Sequence, residues 1–313
     1  MTTWQLTTPV ALIIFNRPDT TRKVFEAIRQ AKPPKLLIVA DGARENHPRD
    51  RQNCAESRAI VAEIDWDCEV LTNYSDRNLG CRDRVASGLD WIFAEVPEAI
   101  ILEDDCLPHP TFFRFCEELL VKYRHDLRVM HISGDNFQTQ KSRTTDSYYF
   151  SNYNHCWGWA SWRRAWQHYD VDMRLWDRIR DGDWLLDILQ DRSAVREWNQ
   201  NYQKIYDRIT DTWDYQWTFA CWLQSGLSIL PNTNLVSNIG FNQEATHTLH
   251  RNLFANLPVQ PMEFPLKHPV AIIRDRQADT FTQNLIFSRS LIAKLRRKFW
   301  LSSTRNIFIA TQG

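Results

Sequence analysis

Glycine and proline are scarce, 9 and 13 in 313 residues, which excludes collagen-like and low-complexity polymers. The seven cysteines are odd in number and form no CxxC pair. That pattern predicts free thiols in a reducing compartment rather than a disulfide framework. Excess charge of one sign is also missing: 38 Lys and Arg balance 38 Asp and Glu, so no global field draws the chain to nucleic acid. No apolar run approaches the roughly twenty residues of a membrane span. The opening segment has no basic n-region, and its apolar stretch over residues 10–15 is too short for a signal peptide. A cytoplasmic location is the expectation.

What is present suits a folded protein. With 43% hydrophobic and 24% charged residues, composition is that of an average soluble globular chain. A chain this long buries roughly three-quarters of its unfolded surface. The charge balance hides an asymmetry. Residues 280–313 hold Arg289, Lys294, Arg296, Arg297, Lys298 and Arg305 and no acid, a total of +6, which leaves −6 on residues 1–279.

Short apolar runs alternate with amphipathic stretches through the first 135 residues. The runs predict strands over 10–16, 35–42, 68–74, 99–105 and 128–135, with helices over 19–31, 51–63, 83–93 and 110–123 between them. Such a β-α-β-α alternation needs right-handed crossovers and yields an α/β fold, a mainly parallel sheet flanked by helices. Ligands of such sheets bind at the carboxyl ends of the strands. The residues following each strand therefore matter: Asn16 and Arg17, Asp41 and Gly42, Asn78 to Gly80, and Glu103-Asp104-Asp105.

After residue 147 the chain becomes aromatic, and helices are predicted over 183–190, 194–209 and 214–225. Residues 227–241 read as a strand, a turn at Pro231-Asn232 and a returning strand. Residues 251–279, with four prolines, read as an extended surface connection.

The sharpest feature is AIILEDDCLPHPTFF. A buried strand ends in three consecutive carboxylates, which repel one another and raise one another's pKa, a cost relieved by a cation. Mg²⁺ or Mn²⁺ suits the position, because each takes one or two carboxylates and completes its shell with phosphate oxygens. An acidic turn capping the next helix is the simpler alternative.

The same residues carry a resemblance. The segment from Ala99 to Phe115 is similar to the signature of GT-A fold, Rossmann-like, nucleotide-sugar-dependent glycosyltransferases, in particular the N-acetylglucosaminyltransferase I-like group. Asn16-Arg17-Pro18, Asp41-Gly42, Asn78-Leu79-Gly80, Gly158-Trp159 and Trp213-Asp214 follow in the order that group uses, over about residues 9–248. The resemblance implies Asp105 as metal ligand, with Glu103 and Asp104 near the nucleotide. It implies Asn16, Arg17 and Asp41 as nucleotide contacts, Gly80 as a point of close approach, and Arg82 by the sugar or diphosphate. Asp214 corresponds to the family's general base, with Asp211 the nearby competitor and an N-cap role the structural alternative. The implied organisation is a GT-A domain over 1–250, with a nucleotide-sugar half (1–135) and a Trp-rich acceptor half (136–250), followed by an extension over 251–313.

Fourteen tryptophans are many for this length. Their faces suit sugar rings, although most such residues are core. Spacing places Trp162 with Trp166, and Trp213 with Trp217, on shared helical faces. Trp157 and Trp159 flank Gly158 and are the better candidates to line a saccharide site, together with Trp213 of the Trp-Asp pair. His247 is a candidate for metal or diphosphate contact, or an ordinary loop residue. The basic tail suits peripheral contact with an anionic leaflet, or a helix docked on the acidic body. The expected activity is metal-dependent inverting transfer of a sugar from a nucleoside diphosphate donor to a glycan or lipid-linked acceptor. Alternatives are a sugar nucleotidyltransferase, disfavoured by the absence of glycine in FNRPDTTRK, and a non-catalytic binding module on the same fold.

Overall fold

A computed structural model describes residues 4–138, 142–241 and 254–288. In the first half, β1 (Val10–Ile14), α1 (Pro18–Ala31), β2 (Lys35–Ala40), α2 (Asp50–Ile60), β3 (Glu69–Tyr74), α3 (Gly80–Glu95) and β4 (Glu98–Glu103) alternate as the periodicity predicts. Each follows from local chemistry. The five residues of β1 are all buried, and successive ones enter opposite cores: Val10, Leu12 and Ile14 on one face, Ala11 and Ile13 on the other. Helix α1 opens with proline in its first turn, buries Val24, Phe25 and Ile28, and stops at Lys32 in the left-handed conformation.

Then follow β5 (Cys106–Pro108), α4 (Thr111–Tyr123), β6 (Val129–Ser133), β7 (Tyr148–Ser151), β8 (Trp159–Trp162) and α5 (Arg163–Trp166). Beyond these come α6 (Trp176–Ile179), α7 (Trp184–Leu189), α8 (Arg192–Tyr206), α9 (Asp214–Leu223), β9 (Leu227–Pro231), β10 (Val236–Asn238) and α10 (Arg276–Thr282). Among the described residues one eight-stranded sheet runs in the order β3-β2-β1-β4-β8-β6-β9-β7. β8 and β7 run antiparallel to their neighbours and the other pairings are parallel, so six strands point one way. The fold is therefore α/β with a mostly parallel, Rossmann-like sheet. The chain winds outward from β1 through β2 to β3 and returns across β1 to β4. The crevice at the carboxyl ends of β1 and β4 is the switch point where such sheets hold ligands.

Several expectations are corrected. The segment 227–241 is not a hairpin: β9 joins the main sheet, while β10 pairs antiparallel with β5 beside the acidic turn. Trp162 and Trp166 share no helical face, because Trp162 ends a strand and Trp166 ends the short helix after it. Strands β7 and β8 went unread, since YYFS and WASW carry aromatics in place of the aliphatic residues that mark a strand. Residues 254–275 are mostly irregular, yet Met262 and Leu266 are buried, and α10 beyond them docks on the sheet through the Ser151–Asp279 hydrogen bond of 2.5 Å. All seven cysteines are free thiols. His247 and the tail from residue 289 lie outside the described residues.

Candidate active site

Strand β4 delivers Glu103 to the switch point, and Asp104 and Asp105 follow in the turn. Asp104 is buried; its Oδ2 accepts the Phe15 N–H at 3.0 Å, which ties the ends of β1 and β4 together. Arg17, the residue before α1, forks across the turn. Its Nη2 is 2.6 Å from Asp104 Oδ1 and its Nη1 2.6 Å from Asp105 Oδ2. One guanidinium does not neutralise this cluster. Burial and the charges of Asp105, Asp104 and Asp214, only partly offset by Arg17, push Glu103 up to about 8. Burial likewise pushes Asp104 up to about 6, against the pull of Arg17.

Gly240 completes this cluster and was not foreseen. Its segment is held by the Ile239 N–H to Asp105 carbonyl bond, 2.8 Å, and by the β5–β10 pairing. A Cβ at position 240 would overlap Asp105 Oδ2 and lie 2.6 Å from Arg17 Nη1, so a side chain there would force this ion pair to shift. The available signal was a glycine straight after a strand in a glycine-poor chain.

A second polar cluster stands at the end of β2. Asp41 accepts the N–H groups of Gly42 (2.8 Å), Leu79 (3.0 Å) and Gly80 (3.2 Å) and the Asn78 amide (2.9 Å). Its carboxylate closes the Asn78–Gly80 turn, where Gly80 has a φ of +80°. Asp211, from the second half, accepts the N–H groups of Cys81 (3.0 Å) and Arg82 (2.9 Å) and so caps α3. Arg82 turns its Nε to Asp83 at 2.8 Å. Asn16 donates to Asp50 at 2.8 Å, and Arg44 donates to the same carboxylate at 2.6 Å. Thus Arg17, Glu103, Asp104 and Asp105 converge, whereas Asp41, Gly80 and Arg82 belong to the start of α3.

Asp214 is the first residue of α9. It is half-buried, accepts hydrogen bonds from Thr212 Oγ1 and from the Tyr215 N–H (3.1 Å), and stands close enough to raise Glu103. The aromatic candidates divide. Trp159 and Trp213 are buried and stack at 5.6 Å in the core, which corrects their expected place on a site wall. Gly158, at a φ of +65°, is filled in by Val236, whose Cγ2 would lie 2.7 Å from a Cβ there; its role is backbone packing. Trp157 stays half-buried, edge-on to Phe137 and Phe241.

Just past β6, Asp135 and His155 lie 3.5 Å apart, both buried, and among the described residues neither carboxylate oxygen and neither ring nitrogen has a hydrogen-bond partner. Burial pushes Asp135 upward. This pair was missed too, although SGD ends its strand in an acid just as ADG and LEDD do.

No protein-family model and no curated protein matches the chain. Solved structures give a distant likeness only. One is a UDP-glucose pyrophosphorylase complexed with UDP-glucose, 10% identical, with a TM-score of 0.23 over 43% of this chain and 65% of that one. The match spans less than two thirds of that enzyme's chain.

Among the described residues no three His, Cys, Asp or Glu side chains converge as a ready ligand set. The surplus of negative charge on Glu103, Asp104 and Asp105 nevertheless suits a cation, and the donors are carboxylate oxygens only. That combination fits a hard divalent ion that takes its remaining oxygens from diphosphate and water, and not the nitrogen and sulfur sites typical of zinc.

Proposed function

We propose that this protein is a metal-dependent, inverting glycosyltransferase that moves a sugar from a nucleoside diphosphate sugar to a glycan or lipid-linked acceptor. The observation that carries the reading is the convergence of Arg17, Glu103, Asp104 and Asp105 at the β1–β4 switch point, with Asp214 brought near Glu103 from the other half. Asp105 and Glu103 would hold Mn²⁺ or Mg²⁺, which when bound supplies charge neutralisation of the leaving diphosphate.

The chain's own residues do the rest. Arg17 offers a planar fork matched to phosphate oxygens. Asp104, locked by the Phe15 N–H, fixes the turn that presents its neighbours. Asp214 accepts the proton of the acceptor hydroxyl as that oxygen attacks the anomeric carbon and the bond to diphosphate breaks. Asp211 is the weaker candidate for base, because its two oxygens serve the start of α3. Trp157 offers a ring face for a saccharide. A cytoplasmic location and contact of the basic tail with a membrane surface belong to the same reading; no described helix is long and apolar enough to cross a membrane.

A sugar nucleotidyltransferase is the second reading, since an acidic switch point serves either transfer. The two differ in product. A transferase releases nucleoside diphosphate from a nucleotide sugar, whereas the alternative releases pyrophosphate from a nucleoside triphosphate and a sugar phosphate. The test is a melting-temperature screen of UDP-, GDP-, dTDP- and CMP-sugars with and without Mn²⁺, since binding to the native state raises the midpoint. A Mn²⁺-dependent rise with a UDP-, GDP- or dTDP-sugar, followed by release of its nucleoside diphosphate, supports the proposal, and a rise with a CMP-sugar alone counts against a diphosphate donor. A flat response across the panel overturns it.

A further inference from the structure

The acidic turn already holds a cation of its own. Arg17 engages Asp104 and Asp105 with both prongs of its guanidinium, each at 2.6 Å. Asp105 has little capacity left over: its Oδ2 is taken by Arg17, and its Oδ1 faces the buried Cys106 thiol at 3.5 Å. Gly240 closes the remaining space beside that ion pair, so tightly that a Cβ there would force the pair to shift.

The arginine itself is less confined. Its backbone is fixed, with the carbonyl accepting from the Thr21 N–H at 2.9 Å and from Thr21 Oγ1 at 2.8 Å, but its side chain is 40% exposed. The guanidinium end is desolvated among Asp104, Asp105 and Glu103, so it leaves them only for another anionic partner, and side-chain rotation is enough for that while the chain stays put. A guanidinium and a divalent ion cannot share Asp105 Oδ2 at close range, because the two positive charges repel. A diphosphate gives Arg17 another partner, with the same planar, bidentate geometry that it now finds in two carboxylates.

We infer that Arg17 is the resident counter-cation of Asp105, and that a donor's diphosphate must draw it away before a divalent ion can take its place. The inference rests on the metal–diphosphate reading of this site. It makes metal and diphosphate binding mutually reinforcing, since each removes a contact that opposes the other, and linkage makes the coupling reciprocal. Without donor, Arg17 keeps Asp105 Oδ2 occupied, so the turn takes up a stray divalent cation less readily.

The experiment follows binding, not turnover. Mn²⁺ alone is titrated into the full chain and the loss of the free-ion electron paramagnetic resonance signal is read for wild type, Arg17→Gln and Arg17→Lys, each checked by circular dichroism melting. Arg17→Gln is expected to bind Mn²⁺ alone at least about tenfold more tightly than wild type, the scale of losing one close charge contact. Arg17→Lys, a point charge without the fork, falls between them and carries the test if the glutamine variant does not fold. UDP or GDP should tighten Mn²⁺ binding in wild type and do so much less in Arg17→Gln. Equal Mn²⁺ affinity across the three proteins overturns the inference and leaves the transferase reading intact. Absence of Mn²⁺ binding in all three, with or without UDP, GDP, dTDP or CMP, overturns both.

Discussion

The two halves of the sheet solve burial differently. Along β1, β2 and β4 the buried strand residues are themselves aliphatic, and polarity is confined to the strand ends, where Asp41, Glu103, Asp104 and Asp105 collect. Around α8 and α9 the core is aromatic: Trp176, Trp198, Tyr202, Phe219 and Trp222 pack as one cluster. Each tryptophan there brings an indole N–H that needs an acceptor. Trp176 donates to Gln203 (3.0 Å), Trp198 to Gln283 (2.9 Å) and Trp222 to the Asn152 carbonyl (2.6 Å). The tryptophans thus consume polar partners within the second half. The first half gathers its acids at the strand ends, where Arg17 engages Asp104 and Asp105. Abundance of Trp is a packing solution here, which leaves Asp214 and Trp157 as the second half's proposed contributions to chemistry.

The sharpest way to break this comparison is Asp214→Asn. If the acceptor half contributes a base, turnover should fall about 10³-fold, within the range for removing a positioned proton acceptor, while donor binding by calorimetry stays close to wild type. Retained turnover would strip the aromatic half of its proposed chemistry and leave it a scaffold.

A stability contrast comes next. Trp198→Ala removes a buried ring that packs on Trp222 at 4.5 Å and Phe287 at 4.7 Å, and should cost about 3–5 kcal/mol in denaturant unfolding. Leu12→Ala, in the aliphatic core, should cost about 2–5 kcal/mol. The tryptophan variant also removes one of the two donors to Gln283 Oε1, leaving that of Tyr153. A negligible loss at Trp198 would mean that the aromatic cluster is loosely packed and available for ligands after all.

The same contrast decided what could be read from sequence. The strands of the first half announced themselves because β-branched runs and helical spacing are local patterns, and LEDD put three acids side by side. The second half depends on partners far apart in the chain. Trp217 donates to His131 across 86 residues at 3.1 Å; that histidine's Nε2–H then goes to the His155 carbonyl at 2.9 Å, and burial pushes it down to about 3. No spacing rule exposes such a bond. Asp135 with His155, and Gly240 against Asp105, were hidden for the same reason. Trp159 was misjudged because a glycine-flanked tryptophan looks the same in sequence whether its ring faces a cleft or a core.

Acidity gives a further test of the first half's acidic turn. Glu103 binds its proton more tightly folded (about 8) than at its ordinary 4.5. A carboxyl raised in this way contributes stability that is fully present below its unfolded value and is lost as pH rises through the folded one. The melting temperature should therefore decline between about pH 5 and pH 8, and Glu103→Gln should flatten that decline. Mn²⁺ with a bound nucleotide should also flatten it by stabilising the ionised form. A slope unchanged in Glu103→Gln would place the proton elsewhere.

The smallest effect tests the joint between the halves. Asp211 lies three residues before Asp214 and caps α3, a helix of the first half, so it links the start of α9 to the Gly80 turn. Asp211→Ala should cost about 1 kcal/mol, the ordinary loss for an N-terminal cap. Its kinetic signature should differ from that of Asp214→Asn. A loosened tether displaces Asp214 without removing it, so turnover should drop modestly and its pH profile should keep the wild-type shape. If Asp211→Ala instead abolished turnover while Asp214→Asn kept it, the base would be the capping residue. The two oxygens now holding α3 would then have to release that helix to reach the acceptor, and the division of labour between the two halves would have to be redrawn around Asp211.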